Sequence, residues 1–349
     1  MNKTPQKTKS KSIRRKLFYF VLLIFALFSV LGWVLWKGSA VEISENVKIS
    51  LTNEDNTESI SEKLENQANL KYPYVFKLIA EKVRLDSRIK EGNFTIEPGF
   101  TLVQIIKTFL QAKIVTTNVV LRGSSSIETV CETLGSKLEP SKEDFFDFVN
   151  NDSLIVDFGL TANTIASMII PNTYNMFWYT SPREVFAKLH TEYNKFWNEE
   201  RMAQAKTKGL SSLEVSILAS IVDKETNKVQ EMPRVAGVYL NRLEKGWKLQ
   251  ADPTVKFALN NPSLKRILRI HTQLEHPYNT YYIQGLPPGP ICVPSMQALQ
   301  AVLNAEKHDY MFFCASPDYS GLHIFAKTDT EHINNANRYH KFLNQQGIK

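Results

Sequence analysis

One glutamate in this sequence lies on the apolar face of a predicted helix. Residues 210–226 read LSSLEVSILASIVDKET, and the capping-box pattern that begins at Ser211 predicts a helix start. With about 100° between successive residues, Glu225 falls close to Leu218 on the apolar face, whereas Asp223 falls on the other side. Burial disfavours an ionised carboxyl group and raises its pKa. Glu225 is therefore a candidate general acid, and the alternative is a structural glutamate whose carboxylate reaches water at the helix end.

Polar and aromatic residues that could hold a substrate follow in three segments. These are LQADPTV at 249–255, YNTY at 278–281 and GLPPGPI at 285–291. The prolines and glycines of the third segment fix the shape of a loop, and such loops line sites more often than they fill cores. Aromatic rings offer flat faces for sugar rings, with core packing as the alternative for each tyrosine. The rings concerned are Trp247, Tyr278, Tyr281 and Tyr282.

The composition is that of a globular protein with room for two or three domains. The chain has 349 residues, of which 43% are hydrophobic and 22% are charged. Its net charge of +7 comes from an N-terminal arm in which seven cations precede residue 17 without an acidic residue. The remaining body is nearly neutral, which argues against a nucleic-acid-binding face. The cations are Lys3, Lys7, Lys9, Lys11, Arg14, Arg15 and Lys16.

An uncharged segment follows the basic arm. Residues 17–35 contain no charged side chain and, at about 1.5 Å per residue, are long enough to cross a hydrocarbon core of about 30 Å. We predict a cytoplasmic arm over 1–16 and a single transmembrane helix over 17–36, with the rest exported because the cations precede the span. This describes an inner-membrane protein with a periplasmic catalytic part. A cleaved signal peptide is the alternative.

The segment after this helix predicts a small β-α-α-β module. Residues 47–51 and 92–96 alternate as strands do, and residues 57–64 and 74–83 carry helical spacing. This order is that of a LysM-like module, which we predict over 42–113. Modules of this kind often hold cell-wall glycan, although short β-α-α-β units also occur without a ligand.

A mixed α/β catalytic domain is predicted over 115–349, with its core at about 209–349, so that the overall class is α+β. Strands are expected at 116–121, 310–315 and 323–326. Capped helices are expected to begin at Thr101, Ser125, Ser141, Ser181 and Ser295. A further helix is expected over about 231–245, before Gly246, and the last helix is expected to end near Gly347.

Cysteines and histidines do not form a metal-binding pattern in the sequence. Cys131, Cys292 and Cys314 are widely spaced, and neither a C-x-x-C nor an H-E-x-x-H motif occurs. The sequence thus favours an enzyme without a metal or other cofactor. One disulfide or three structural thiols would both fit the cysteine content.

Five segments together resemble the YceG-like family of endolytic murein transglycosylases. They are residues 219–226, 241–243, 249–254, 278–281 and 285–289, and their order and spacing also agree with the family. The predicted anchor, the LysM-like module and PNTY at 171–174 extend the resemblance along most of the chain. The resemblance implies a membrane-anchored lyase that cuts nascent peptidoglycan strands internally and ends their elongation.

Two positions depart from the pattern of this family. Asp223 replaces the first glutamate of the family's E-K-E-T segment. This difference has little bearing on the assignment of Glu225, because the helical spacing already turns Asp223 away from the apolar face. Asn172 stands where relatives commonly carry aspartate. It weakens the idea that the loop at 171–174 supplies a second carboxylate.

The resemblance assigns catalysis to Glu225, and a glycan lyase can work with this single carboxylate. Glu225 would protonate the leaving oxygen of the bond between N-acetylmuramic acid and N-acetylglucosamine, and then accept the proton of the C6 hydroxyl to give a 1,6-anhydro end. Asp252 is expected to be a stabiliser or positioning group, with an Asp-Pro turn as the alternative. Gln250, Asn279 and Tyr281 are expected to position the substrate.

Peptidoglycan, the lipid bilayer and peptidoglycan synthases are the expected partners, and nucleic acid is not. The sequence leaves two alternative functions open. A membrane-anchored muramidase would hydrolyse the same bond, and a non-catalytic scaffold would bind glycan and recruit synthases. The products distinguish the muramidase from a lyase, because hydrolysis gives reducing ends and a lyase gives anhydro ends. Glycan binding that survives a change of Glu225 while turnover is lost would separate an enzyme from a scaffold.

Overall fold

The computed structural model describes residues 9–345 without 53, 90–91, 112–115, 265 and 319. The chain divides into two compact units, Met1–Val115 and Thr116–Lys349. Helices occupy much of both units, and the strands form three separate antiparallel pairs, so the fold class is α+β as predicted. The start of the basic arm, the predicted boundary near residues 113–115 and the predicted helix end at Gly347 lie outside the described residues.

The first unit contains a pair of strands with two helices between them, in the predicted order. Strand β1 pairs with β2, and Ile49 lies opposite Phe94. The apolar sides of the strands and helices close over one core that includes Phe76 and Phe109. The elements are α1 (Lys9–Trp36), β1 (Val47–Leu51), α2 (Thr57–Ala68), α3 (Pro73–Lys82), a 3₁₀ turn (Leu85–Ser87), β2 (Gly92–Ile96) and α4 (Leu102–Leu110).

The predicted transmembrane segment falls within α1. Over the part of the chain that the structure describes, no helix has the length and apolarity needed to cross a membrane. The transmembrane helix therefore stays a prediction.

The first half of the second unit joins a strand pair to four helices. Strand β3 pairs with β4, and Leu121 lies opposite Asn172. The elements are β3 (Thr116–Leu121), α5 (Ile127–Gly135), α6 (Lys142–Asn150), α7 (Asp152–Ile155), 3₁₀ turns at Val156–Phe158 and Ile165–Met168, β4 (Asn172–Phe177), and α8 (Pro182–Phe196).

The second half of this unit is built around one buried helix, α10, and ends with a strand pair and a long helix. The elements are α9 (Glu199–Thr207), α10 (Ser212–Glu225), α11 (Met232–Glu244), α12 (Asp252–Ala258), α13 (Arg269–Thr272), α14 (Met296–Leu303), β5 (Phe312–Ala315), β6 (His323–Ala326) and α15 (Asp329–Gln345). Strand β5 pairs with β6.

Helix α10 begins with the predicted capping box. The Ser211 hydroxyl accepts from the Glu214 backbone N–H at 3.2 Å, and Oε2 of Glu214 accepts from the Ser211 N–H at 2.7 Å. All residues from Val215 to Val222 are buried, on every side of the helix. A helix that is apolar all round belongs in a core, and α10 packs against α11, α12 and α14. The sequence indicated one apolar face, and the structure shows residues 215–222 enclosed on all sides, with the first and last turns of the helix reaching the surface.

Three local assignments differ from the sequence-based expectations. Helix α5 is capped by Ser126, whose hydroxyl accepts from the Thr129 N–H, and not by Ser125. The segment at 171–174 was expected to be a loop, but Asn172 begins strand β4, because pairing with β3 satisfies its backbone. Asp252 and Pro253 open helix α12 where a turn was the alternative, and proline suits the first turn of a helix.

Candidate active site

A cavity of about 380 Å³ opens beside the C-terminal end of α10. Helices α10, α11, α12 and α15, strand β5 and the loops at 250 and 281 each contribute to its wall. Three carboxyl groups, a guanidinium, an imidazole and two phenols therefore surround one space. The lining residues are Glu225, Tyr239, Arg242, Gln250, Asp252, Tyr281, Phe312, Phe313, Asp329 and His332.

Glu225 is the last residue of α10 and is partly buried at the cavity wall. The Tyr239 hydroxyl of α11 donates a hydrogen bond of 2.5 Å to its Oε1. Tyr239 is 1% exposed, and its ring meets Phe313 edge to face with 5.9 Å between centroids. Tyr239 is itself held in the core by α11 and by Phe313. Its hydrogen bond therefore holds this carboxyl oxygen of Glu225 in one position.

The environment of Glu225 raises its pKa into the neutral range. Desolvation by burial raises its pKa to about 7, and the negative charge of Asp252 adds to this rise. The hydrogen bond from Tyr239 and the positive charges of Arg242 and Lys256 act in the opposite direction. At neutral pH the protonated and ionised forms of Glu225 are thus both populated, which is the state required of a group that first donates and then accepts a proton.

Arg242 supplies a buried positive charge in the same cavity. It is 7% exposed, and its Nε donates to the Met311 carbonyl at 2.8 Å while its Nη1 donates to the Leu249 carbonyl. Burial lowers its pKa, which the nearby Tyr239 and Glu225 partly offset. No carboxylate lies within ion-pair distance of Arg242 among the described residues. Its charge therefore acts on the cavity and not on a single partner.

Asp252 and Tyr281 form a second polar pair on the cavity wall. The Tyr281 hydroxyl donates to Oδ1 of Asp252 at 2.7 Å, and Asp252 is exposed at the first turn of α12. Burial raises the pKa of Tyr281, and the Asp252 carboxylate raises it further, so the phenol stays protonated. The structure therefore brings together Glu225, Asp252 and Tyr281, which the sequence had marked separately.

Gln250 reaches the cavity through an unusual backbone conformation. Its φ of +49° lies in the left-handed region, which is uncommon for a residue other than glycine. The backbone N–H of Gln250 donates to the Thr280 carbonyl at 3.1 Å, which holds this conformation in place. Within the described residues the side-chain amide of Gln250 makes no hydrogen bond, so it is available to a bound molecule.

Asn279 has a different position from the other expected substrate-positioning residues. Its side chain is 0% exposed and does not line the cavity. The amide nitrogen donates to the carbonyls of Thr272 and Leu274, and the amide oxygen accepts from the Tyr281 N–H at 3.0 Å. These bonds fix the loop that presents Tyr281, so Asn279 shapes the site from behind.

The proline-rich loop at 285–291 also lies outside this cavity. Pro287, Gly289 and Pro290 are buried, and the Ile291 N–H donates to the Ser220 hydroxyl of α10 at 3.0 Å. A Cβ at Gly289 would lie 1.9 Å from the Asn163 carbonyl oxygen, so only glycine allows this approach. The loop was expected to line the site, and the structure shows it packed against α10 instead.

The aromatic rings expected to face sugars are also divided between core and surface. Tyr278 is 6% exposed and packs on Phe257, with 4.6 Å between ring centroids. Trp247 and Tyr282 are exposed but are not part of the cavity wall, and only Tyr281 of the four lines it.

Asp223 points away from the cavity, as the helical spacing indicated. Its Oδ2 accepts from the Ser124 hydroxyl at 2.6 Å and from the Ser295 N–H at 3.0 Å, and its Oδ1 accepts from the Ser295 hydroxyl at 2.6 Å. Ser295 is the N-cap of α14. Asp223 therefore ties α10 to the start of α14 and to the loop after β3.

Six cavity residues were given no role in a site from the sequence: Tyr239 and Arg242 on α11, Phe312 and Phe313 on β5, and Asp329 and His332 on α15. Their segments were predicted as helices and a strand, and only Arg242 lay in a segment that carried the family resemblance. The spacing of Asp329 and His332 places both on one face of a helix, which was the available signal.

The cysteines, histidines and acidic residues form neither a disulfide nor a metal site within the described residues. Cys131, Cys292 and Cys314 are free, and burial raises the pKa of the Cys292 thiol to about 12. No group of three or more His, Cys, Asp or Glu side chains is arranged to hold a metal ion in the described ranges.

Comparison with known proteins agrees with this architecture. The sequence model of the YceG-like family matches residues 49–338. An endolytic murein transglycosylase of Bacillus subtilis is 29% identical over 205 residues, which are 59% of this chain and 55% of the relative. One of Streptococcus pneumoniae is 34% identical over 134 residues, which are 37% of this chain and 24% of the relative.

A solved structure shares the fold. The crystal structure of a yceG-like protein from Listeria monocytogenes superposes with a TM-score of 0.54 at 23% identity, covering 84% of this chain and 99% of that chain. Because the family model matches most of its length, this chain belongs to the YceG-like family. The matches span about half of the Bacillus relative and about a quarter of the Streptococcus relative.

Proposed function

We propose that this protein is an endolytic lytic transglycosylase of peptidoglycan, with Glu225 as its catalytic acid and base. The observation that carries the proposal is a single glutamate with a pKa of about 7 at the wall of an open polar cavity. The Bacillus and Streptococcus relatives named endolytic murein transglycosylase support the choice of substrate. The bond attacked is the one between N-acetylmuramic acid and N-acetylglucosamine.

The reaction needs one transferable proton and no water. Protonated Glu225 donates its proton to the glycosidic oxygen as the bond from that oxygen to C1 of N-acetylmuramic acid breaks. The resulting carboxylate accepts the proton of the C6 hydroxyl, and the C6 oxygen bonds to C1 to form the 1,6-anhydro ring. Glu225 ends protonated and ready for another strand, and cleavage within a nascent strand ends its elongation.

The surrounding groups assist each half of this cycle. Asp252 raises the pKa of Glu225 and favours the acid, whereas Tyr239 and Arg242 lower the pKa and favour the carboxylate. Asp252 is also well placed to stabilise positive charge that develops at C1 in the transition state. Gln250 and Tyr281 lie on the cavity wall where a sugar would be held, and Asn279 acts through the loop that presents Tyr281.

Hydrolysis by a muramidase is a second candidate because Asp252 shares the cavity with Glu225. A second carboxylate can activate water or form a covalent intermediate. Mass spectrometry of products from purified peptidoglycan decides between them. Anhydro ends support the transglycosylase, reducing ends support the hydrolase, and the absence of any new ends despite glycan binding would indicate a non-catalytic scaffold.

Placement of the protein at the inner membrane is part of the proposal, and its sequence supports it. The cationic arm and the uncharged segment at 17–36 support a single span with the N-terminus in the cytoplasm. A reporter that is active only in the periplasm should work when fused after Lys349. Activity of a cytoplasm-only reporter at that position would overturn both the orientation and the peptidoglycan substrate.

The first unit is proposed to bind glycan through its LysM-like module, and peptidoglycan synthases are proposed partners. Every residue of the catalytic cavity lies in the second unit. Deletion of residues 42–113 from the membrane-anchored protein should therefore leave cutting in place at a lower rate. Loss of all cutting in a deletion shown by circular dichroism to be folded would reject this division of roles.

A further inference from the structure

His332 brings an imidazole from α15 to the wall of the cavity that contains Glu225. Its ring stacks on Phe312, with 5.1 Å between centroids and 16° between planes. Nδ1 is buried, and it has no hydrogen-bond partner within the described residues. Because Nδ1 is buried and His332 lines the cavity, Nε2 is the ring nitrogen that can face it.

The burial of Nδ1 determines the tautomer of His332. A proton on Nδ1 would be a buried donor without an acceptor, which is costly. The neutral ring therefore carries its proton on Nε2, as a hydrogen-bond donor. Burial lowers the pKa of His332, Arg242 on α11 lowers it further, and Asp329 on the same helix opposes them. Glu225 and Asp252 share the cavity with these groups.

We propose that His332 is a substrate-positioning residue whose Nε2–H donates a hydrogen bond to an acceptor oxygen of the glycan, most simply the carbonyl oxygen of an acetamido group. This inference rests on the proposed function, since it requires a glycan in the cavity. Glu225 retains both proton transfers. The role of His332 is to orient the sugar next to Glu225, and a neutral donor does so without competing for the catalytic proton.

The test compares His332→Phe and His332→Gln with the parent, each as the full chain in detergent micelles. Phenylalanine keeps the stack on Phe312 and removes both nitrogens, whereas glutamine retains an N–H donor. We expect His332→Phe to unfold at the parent temperature or above, because it removes the unpartnered Nδ1. Its kcat/KM for anhydro-end formation should fall about 2- to 12-fold, the scale for one neutral hydrogen bond. His332→Gln should recover part of this loss.

A kcat/KM for His332→Phe equal to that of the parent would overturn the inference. Unfolding of both variants would also overturn it, because His332 would then be a purely structural residue. Binding provides a readout that is independent of cutting. In a Glu225→Gln background, calorimetry with the N-acetylglucosamine tetramer should show weaker binding when His332→Phe is added. If the parent makes no anhydro ends but this loss of binding is seen, the proposed function fails and the contact stands. Unchanged binding of the tetramer overturns the contact.

Discussion

Tyr239 donates its phenolic hydrogen to Oε1 of Glu225 at 2.5 Å, across the two consecutive helices α10 and α11. The bond lowers the pKa of Glu225, while desolvation and the Asp252 charge raise it. The value of about 7 is therefore a balance between groups on three helices, α10, α11 and α12. Changing one group at a time should move the pKa in a known direction.

Tyr239→Phe should raise the pKa of Glu225, because it removes a hydrogen bond that stabilises the carboxylate. The acid form then persists to higher pH, and the alkaline limb of the kcat/KM profile moves upward. Packing against Phe313 is retained, since only the hydroxyl is removed. Tyr281→Phe is the matched control because its hydroxyl contacts Asp252 and not Glu225. An alkaline limb that stays in place in Tyr239→Phe would contradict this balance.

Asp252→Asn should move the same limb in the opposite direction. Loss of the neighbouring negative charge stabilises the Glu225 carboxylate and lowers its pKa. The pH dependence of kcat/KM, measured from pH 5 to 9, gives the shift. In a transglycosylase, Asp252→Asn keeps measurable cutting with anhydro ends at low pH. Complete loss of cutting at every pH would instead favour Asp252 as the second carboxylate of a hydrolase.

Glu225→Gln should reduce turnover by roughly 10²- to 10⁴-fold, the scale of general acid–base catalysis, because glutamine has no proton to transfer. Liquid chromatography of anhydro-ended products, beside the parent protein, measures the loss. Binding of the N-acetylglucosamine tetramer should be retained. Near-normal product would show that another group carries the proton.

The stability of the parent should fall as pH rises from about 4.5 toward about 7, owing to Glu225. In this range the folded carboxyl group still holds a proton that the unfolded one has released, so unfolding is favoured by rising pH. Above pH 7 the folded protein contains a buried carboxylate that Glu225→Gln does not. The variant should therefore be more stable than the parent at pH 8, by up to about 3 kcal/mol, and this advantage should vanish at pH 4.5. Urea unfolding at the two pH values measures it; an equal difference at both would contradict the raised pKa.

Asp223→Asn should destabilise the fold by about 1–3 kcal/mol, because it weakens three hydrogen bonds to a charged acceptor. Remaining folded protein should still cut glycan at low temperature, since Asp223 does not line the cavity. Asp157→Asn is the control, because its ion pair with Arg183 is exposed on both sides and contributes little. Thermal unfolding and cutting at 20 °C separate the two effects. Loss of cutting without loss of stability would place Asp223 in the chemistry.

Helix starts were predicted well from the sequence because their signals are local. The helix starts predicted at Thr101, Ser141, Ser181 and Ser211 all occur in the structure, each with a hydroxyl that accepts from a backbone N–H three residues later, whereas the cap predicted at Ser125 lies at Ser126. The place of Glu225 on α10 followed from the same local spacing. Strand β4 was missed because its partner β3 lies about fifty residues earlier, and pairing decides its conformation more than its composition does.

The composition of the cavity depended on contacts between distant segments, which one sequence does not reveal. His332 joins Glu225 only because α15 packs along the β5–β6 pair. Similarly, proline and glycine marked 285–291 as a shaped loop, but its burial against Ser220 depends on the packing of α10. A polar loop residue such as Asn279 can form hydrogen bonds with a ligand or with the backbone. Only the three-dimensional contacts show which it does.

The hydrogen bonds of Asp223 also make the site depend on distant parts of the chain. They connect α10 to residues 99 positions earlier and 72 positions later. Bringing such distant segments together has an entropic cost, and contacts of this kind are slower to form than local ones. The end of the helix that carries Glu225 is therefore secured by the tertiary fold and not by α10 alone. A newly made chain has its carboxyl group held in this way only once the segments around Ser124 and Ser295 are both in place.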